Sequence, residues 1–211
     1  MKILYFETKR RKQQNASPSF NFSVLPKTLL LVYSIQYKHL AQEIKERLLK
    51  EGFNITGFQQ VLGCSKVKSK EAILLIGSGK FHALNLAMQN PVPIYIYDSG
   101  NITQLDEKSI NDLKEKKKGA FSKFLHANTL GIIVSTKPGQ ENLKKAQLVK
   151  ERILSKYPSK EISIILSEHI TLQELENFPF DFYVNTACIG LFYDTNKIVN
   201  ADDILEFLAL N

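Results

Sequence analysis

Two side chains in this sequence are both soft metal ligands and nucleophiles: Cys64 and Cys188, its only cysteines in 211 residues. Neither belongs to a C-x-x-C pair, so a self-contained zinc site is not expected. They stand far apart in the chain, and a reducing compartment disfavours a structural disulfide between them. Taken singly, each reads first as an inert, small apolar residue. Gly77-Ser-Gly-Lys80 invites a phosphate-loop reading, but that motif needs Gly at position 74 and Ser or Thr at 81, where Leu74 and Phe81 stand. A dinucleotide fingerprint fails because His82 occupies the third glycine position. Glycines here could still aim backbone N–H groups at an anion or ligand, or simply form a tight strand-to-helix turn. The histidines His39, His82, His126 and His169 show no metal spacing, and only His82 falls in a candidate ligand loop. No G-x-S-x-G elbow supports a hydrolase triad. Asp98, at a strand end, could touch a ribose but reads better as a turn residue.

These residues need a scaffold, and the hydrophobic pattern supplies one. Thr28–Ser34 and Ala72–Ile76 are continuous apolar runs of strand length, the pattern of parallel strands covered on both faces. A helix is expected over 37–51, with Leu40, Ile44 and Leu48 on one face and Gly52 at its end. Phe53–Leu62 reads as a strand interrupted near Gly57, and Ile94–Tyr97 as another. A helix to about Met88 lies between the Gly77–His82 loop and the turn at Pro91-Val-Pro93. Lys108–Lys123 reads as a charged helix, after which the pattern restarts. Leu130–Ser135 is a strand, Thr136–Gln140 a loop, and a helix runs to about Lys156. Ile162–Leu166 and Phe182–Asn185 are strands on either side of a short helix, Thr171–Glu176, capped by Thr171 and Glu174. Ala201-Asp-Asp203 opens a last helix.

The two halves share a layout, with Ser34 and Ser135 closing equivalent strands. The expected fold is α/β: two similar small domains, each a parallel sheet flanked by helices. The boundaries expected are 1–24 for a strand (Lys2–Phe6) and basic linker (Lys9–Ser23), 25–118 for one domain and 119–211 for the next. Ligands of such sheets lie beyond the carboxyl ends of the strands. There the sequence collects Ser34–Gln36, Gly63-Cys64, Gly77–His82, Ser135–Gln140 and Ala187-Cys188.

Composition excludes several classes. A content of 44% hydrophobic and 10% aromatic residues is globular rather than disordered, and no apolar run is long enough for a membrane span. The first dozen residues lack signal-peptide character, so a cytoplasmic protein is expected. The net charge of +7 is uneven: residues 161–211 hold one basic side chain, Lys197, and nine acidic ones. The basic remainder could meet an acidic partner or be a solvated lysine-rich surface. No nucleic-acid-binding motif accompanies it, so direct nucleic-acid binding is not expected.

Four segments in order, Val61–Cys64, Ile76–His82, Val134–Gln140 and Val184–Cys188, resemble the archaeal diphthamide synthase family over about residues 25–205. The resemblance implies the second and third of three similar α/β domains, each domain giving one cysteine to a [4Fe–4S] cluster. Cys64 and Cys188 would be two of the ligands, with no catalytic residue assigned beyond the cluster. The implied activity is 2-(3-amino-3-carboxypropyl)histidine synthesis, the first step of diphthamide formation on translation elongation factor 2. In this family a cluster-bound S-adenosylmethionine is cleaved to a 3-amino-3-carboxypropyl radical, which is transferred to a histidine. Implied S-adenosylmethionine contacts are Gln36, Gly77, Ser78, Gly79, Phe81, His82, Ser135, Thr136, Lys137, Gly139 and Gln140, with Lys137 facing the carboxylate.

The sequence departs from the family pattern at Ala83 and Asn85, where Pro and Gly are usual, and at Ile189-Gly190, where Pro-Arg is usual. The first domain and its cysteine are absent from these residues, and Lys2–Phe6 resembles only that domain's closing strand. The expectation is a split enzyme, completed by a separate chain that supplies the first domain and third cysteine; a homo- or hetero-oligomer is compatible with this. The alternatives are a non-catalytic interaction subunit of the same complex and a generic α/β nucleotide-binding module.

Overall fold

A computed structural model describes residues 21–210, apart from the side chains of Leu172, Asp194 and Leu210. The expected strand Lys2–Phe6 and the linker from Lys9 to Phe20 lie outside the described residues. The chain divides into two compact units between Asn111 and Asp112.

The first unit is wound around its first strand. β1 (Thr28–Tyr33) pairs in parallel with both β2 (Asn54–Gln60) and β3 (Ala72–Ile76), and β3 pairs in parallel with β4 (Ile94–Asp98). A 3-10 turn, Ile35–Tyr37, leads into α1 (Lys38–Lys50), while α2 (Lys80–Gln89) joins β3 to β4. The unbroken apolar runs follow from this position, because successive side chains point to opposite faces and both faces are covered. Leu29, Leu31 and Tyr33 pack with Ala41, Ile44 and Leu48 of α1. Leu30 and Val32 pack on the other face with Ala83 and Leu86 of α2. Each such burial stabilises by about 1.5–3 kcal/mol before conformational entropy is subtracted. The interruption expected near Gly57 is a bulge: Leu29 pairs with Ile55 but Leu30 with Gly57, leaving Thr56 as the extra residue.

The sequence pattern ended this sheet at its fourth strand. The structure adds β5 (Asn101–Gln104), antiparallel to β4 through a two-residue turn. Ser99 and Gly100 both take positive φ there (52° and 94°), the backbone of a tight hairpin. Asn-Ile-Thr-Gln is too short and polar to register as a strand by periodicity.

α3 (Glu107–His126) begins in the first unit. Asp106 stands before it and accepts from Ser109 N (2.7 Å), Ser109 Oγ (2.8 Å) and Lys80 Nζ (3.2 Å). This satisfies an otherwise unpaired N–H of the first turn.

The second unit repeats the order. β6 (Thr129–Ser135) lies between β7 (Glu161–Ser167) and β8 (Phe182–Asn185), and β9 (Ile198–Asn200) completes an all-parallel β7-β6-β8-β9 sheet. The first unit reads β2-β1-β3-β4 before its antiparallel strand, so the repeat seen in sequence is one of topology. α4 (Leu143–Lys156) buries Ala146, Val149 and Ile153. α5 (Leu172–Glu176) has the expected capping box from Thr171 and Glu174. α6 (Leu191–Asp194) and β9 escaped the sequence pattern because one is a single helical turn and the other only three residues long.

The uneven charge is partly cancelled inside this unit. α7 (Ala201–Leu210) carries Asp202 and Asp203 in its first turn, which pair with Lys145 and Lys117, each at 2.8 Å. Acidic groups at a helix N-terminus also complement its dipole. Lys160, only 8% exposed, extends under the end of α3 and donates to the carbonyls of Phe124 (3.2 Å), Leu125 (2.9 Å) and Ala127. Burial pushes its pKa down, and the Asp181 carboxylate opposes that. A lysine ammonium thus closes the carbonyl end of a helix that has no glycine to do so.

Two outcomes follow for stability. A Cβ at Gly131 would come within 2.9 Å of the Tyr183 ring and of Ile165 Cδ1, whereas one at Gly57 would meet only Leu30 Cδ1, at 2.8 Å. The Tyr183 hydroxyl donates to Leu175 O, so its ring is tethered, while the end of Leu30 can turn aside. Gly131→Ala is expected to cost about 1–3 kcal/mol in denaturant unfolding and Gly57→Ala clearly less; equal losses would contradict the packing argument.

The Asp106 carboxyl is held down to about 2 from its ordinary 3.8, first by the Ser109 N–H, then by the Ser109 hydroxyl and Lys80. The folded value lies below the unfolded one, so its contribution is present above about pH 4 and is lost as pH falls through about 2. The thermal midpoint of the native chain should therefore fall more steeply across that window than that of Asp106→Asn. Parallel profiles would remove Asp106 from the acid response.

Candidate functional site

In each unit the first strand is followed by a helix on one face, and its inner neighbour by a turn toward the other. The chain therefore parts at the carboxyl ends of β1 and β3, and of β6 and β8, where such sheets bind ligands. In the first unit this edge carries Gln36, Cys64, Gly77, Ser78, Gly79, Phe81 and His82. Ser34 N donates to Ile76 O (3.2 Å) and Gly77 N to Tyr97 O (3.3 Å), so both loops leave from fixed points. Gly77 is buried, and a Cβ on it would come 3.1 Å from Ser34 Oγ. Ser78 and Gly79 are exposed, with Gly79 at φ +88° just before α2. Gln36 is exposed on the 3-10 turn, and Lys80 leans away to Asp106.

Cys64 lies in an exposed turn after β2, closed by Ser65 N to Leu62 O (3.0 Å) and Leu62 N to Ser65 Oγ (2.8 Å). Its neighbours are held by α2. Asn85 Nδ2 donates to Gly63 O (3.0 Å), and Gln89 Nε2 donates to Ser65 O (3.1 Å). Gln89 Oε1 accepts from Val67 N (3.0 Å), and buried Asn90 exchanges bonds with Ser69 N (2.7 Å) and Val67 O (2.9 Å). Phe81 covers Gly63 so closely that a Cβ there would lie 2.1 Å from Phe81 Cε1. His82 follows, its ring edge-on to Phe81 at 5.4 Å, and partial burial pushes its pKa down.

In the second unit Ser135 is buried and its Oγ accepts from Lys137 N (3.2 Å), which shapes the loop after β6. Thr136, Lys137, Gly139 and Gln140 are exposed, with Gly139 at φ +79° and Gln140 N bonded to Lys137 O (3.0 Å). Cys188 is exposed after β8. Asn185 Nδ2 donates to Cys188 O (2.8 Å), Asn185 Oδ1 accepts from Ala187 N (2.9 Å), and Asn142 Nδ2 reaches Thr186 O (2.9 Å). Both thiols are free and exposed, so neither is committed to a disulfide, and thiolates suit soft metals.

The cysteines are not repeat-equivalent. Cys64 follows β2, the outer partner of the first strand, while Cys188 follows β8, the inner one. The exposed His39, His126 and His169 stand outside these loops, and Asp98 accepts from Ser99 Oγ (3.0 Å) as a turn residue. A cavity of about 210 Å³ lined by Phe178, Phe180 and Tyr183 lies toward the amino ends of β8 and β9, away from every expected site residue. Among the described residues no three His, Cys, Asp or Glu side chains converge as a metal site, and no helix is long and apolar enough to cross a membrane. Sequence reading missed the carboxamides of Asn85, Gln89, Asn90, Asn142 and Asn185. The spacing Phe81-x3-Asn85-x3-Gln89, one stripe of a helix, was the available signal.

Comparison with known proteins shows the family. The chain is 32% identical over 179 residues to the 2-(3-amino-3-carboxypropyl)histidine synthase of Pyrococcus horikoshii, covering 78% of this chain and 51% of that protein. It is 29% identical to subunit 1 of the synthase of the same name from Yarrowia lipolytica, covering 79% of this chain and 41% of the relative. The chain thus spans about half the length of the curated relatives it matches. The crystal structure of Dph2 from Pyrococcus horikoshii with a 4Fe-4S cluster superposes with a TM-score of 0.77 at 29% identity, over 90% of this chain and 59% of that one. Residues 1–198 match the family described as "Putative diphthamide synthesis protein". With that match over nearly the whole sequence, this chain belongs to the diphthamide synthesis protein family.

Proposed function

We propose that this chain is a subunit of a 2-(3-amino-3-carboxypropyl)histidine synthase, in which Cys64 and Cys188 are thiolate ligands of one [4Fe–4S] cluster. The observation that carries the reading is the pair of free, exposed cysteines, each at the carboxyl end of a parallel sheet in a chain of this family. The donor set fits the group: thiolates are its usual ligands, and exposure leaves both sulfurs accessible. A reduced cluster would supply one electron to the sulfonium of S-adenosylmethionine. The reaction proposed is transfer of the 3-amino-3-carboxypropyl group to a histidine of elongation factor 2, with methylthioadenosine as co-product.

The chain's own residues bind and orient. Ser78 and Gly79 are exposed beside the start of α2, and the backbone N–H groups of a helix's first turn suit a carboxylate. Lys137, exposed in the Ser135–Gln140 loop, is the cation proposed for the same amino-acid moiety. Gln36, Gly77, Phe81, His82, Ser135, Thr136, Gly139 and Gln140 form or shape the walls of those two loops. Residues 1–211 hold two cysteines, so the third thiolate comes from polypeptide beyond them. A separate chain resembling the family's first domain is the partner proposed. A reducing cytoplasm suits two unpaired thiols.

Each single variant, Cys64→Ala or Cys188→Ala, should shorten cluster lifetime in the anaerobic complex at least about tenfold. Thermal midpoints should barely move, since both side chains are exposed. Full iron and sulfide content in both variants would end the ligand assignment.

The complete, reduced complex should release methylthioadenosine from S-adenosylmethionine, and 5′-deoxyadenosine with methionine as the only products would overturn the reaction class. The purified chain alone should lose reconstituted iron to a chelator, and the added partner should make binding stoichiometric. Stable, stoichiometric iron in the chain alone would refute the need for that partner.

A further inference from the structure

α2 presents Phe81, Asn85 and Gln89 at intervals of four, so they line one stripe of the helix. All three engage the segment that carries Cys64. Phe81 lies against Gly63, Asn85 donates to Gly63 O, and Gln89 both donates to Ser65 O and accepts from Val67 N. Within residues 62–65 the local hydrogen bonds are those of the Leu62–Ser65 turn. Pairing with β1 ends at Val61, whose N–H donates to Tyr33 O (2.8 Å), so it stops short of the Cys64 turn. Between buried Val61 and Val67, the long-range hydrogen bonds that hold this turn come from one helix face, more than twenty residues away in sequence.

We propose that Asn85 and Gln89 are positioning residues that, with Phe81 packed on Gly63, fix where the Cys64 thiol stands. The inference rests on the reading of Cys64 as a cluster ligand, and extends it to residues that touch neither metal nor substrate. The carboxamide suits the task. It is neutral, so it adds no net charge beside a thiolate, and it offers a donor and an acceptor at once. Cys188 has its own bracket on β8, from Asn185, and provides an internal reference in the same molecule.

The test uses the full chain with a nitroxide on Cys64 in a Cys188→Ser background, and on Cys188 in a Cys64→Ser background. With Asn85→Ala or Gln89→Ala, the label at Cys64 is expected to tumble about twofold to tenfold faster, the range set by losing a hydrogen bond of ordinary net strength. The label at Cys188 should stay as in the parent, and the thermal midpoint should fall by no more than about a few degrees. Asn85→Asp keeps the shape but loses the donor, and should follow Asn85→Ala. Unchanged mobility at Cys64, or equal changes at both labels, would overturn the proposal, as would Asn85→Asp behaving like the parent. In the anaerobic complex, Asn85→Ala should shorten cluster lifetime against a chelator by a similar factor. A parent complex that holds no cluster would instead sink the reading of Cys64 as a ligand, while the label experiment still decides the positioning role.

Discussion

The structure depends on each sheet being wound outward from its first strand. β1 and β6 hydrogen-bond on both edges and are covered on both faces. Leu31 and Val32, fully buried and pointing opposite ways, require a helix on each side of the sheet. Parallel pairing then forces crossover connections, which return every strand exit to the same edge. The chemistry-bearing loops gather at that edge because the hydrophobic strands leave them nowhere else to go. A reactive turn at the end of a buried strand is rigid at its root and open to solvent at its tip.

Electrostatics in the second unit works on a smaller scale than the composition suggests. Read along the chain, 27 basic residues in 1–160 face a strongly acidic remainder, which invites a picture of two opposed surfaces. In the fold, Asp202 and Asp203 meet Lys145 and Lys117, and Lys116 donates to Tyr193 O (2.8 Å). The Lys117–Asp203 pair is mostly covered, and burial, then Asp203, raises the Tyr193 phenol to about 12. Part of the lysine content of α3 and α4 therefore serves internal docking of α7, and the charge left for an acidic partner is less than the tally implies.

What was legible in the sequence was what repeats or persists. Thr28–Tyr33 and Ala72–Ile76 could be read because burial on both faces leaves an unbroken apolar run. The Thr171 cap could be read because its chemistry is local, complete within four residues. Asn101–Gln104 and Ile198–Asn200 were not legible, since one is polar and the other is three residues long. The cysteines and their loops were found through the order of four segments, while the groups that hold those loops were not. Asn85 to Gly63 spans 22 residues, and no periodicity within the loop reports a partner that far along the chain.

That division has a physical cause. A turn that presents a thiol must be exposed, so burial fixes only its flanks, Val61 and Val67 in the case of Cys64. Its backbone groups still need partners wherever they are partly covered. Extending the ladder of β2 would satisfy them, but would pull Cys64 into the sheet's edge, where alternate side chains turn inward. A charged clamp would satisfy them too, but a lysine would favour the thiolate and an aspartate would oppose it. Carboxamides from a neighbouring helix avoid both consequences. In the second unit the same residue type does the same work from a strand, with Asn185 bonded to Cys188 O and Ala187 N. Two loops that leave different strands of the repeat, and so share no inherited geometry, are thus held by the same chemistry. The shared requirement is an exposed sulfur on a fixed backbone.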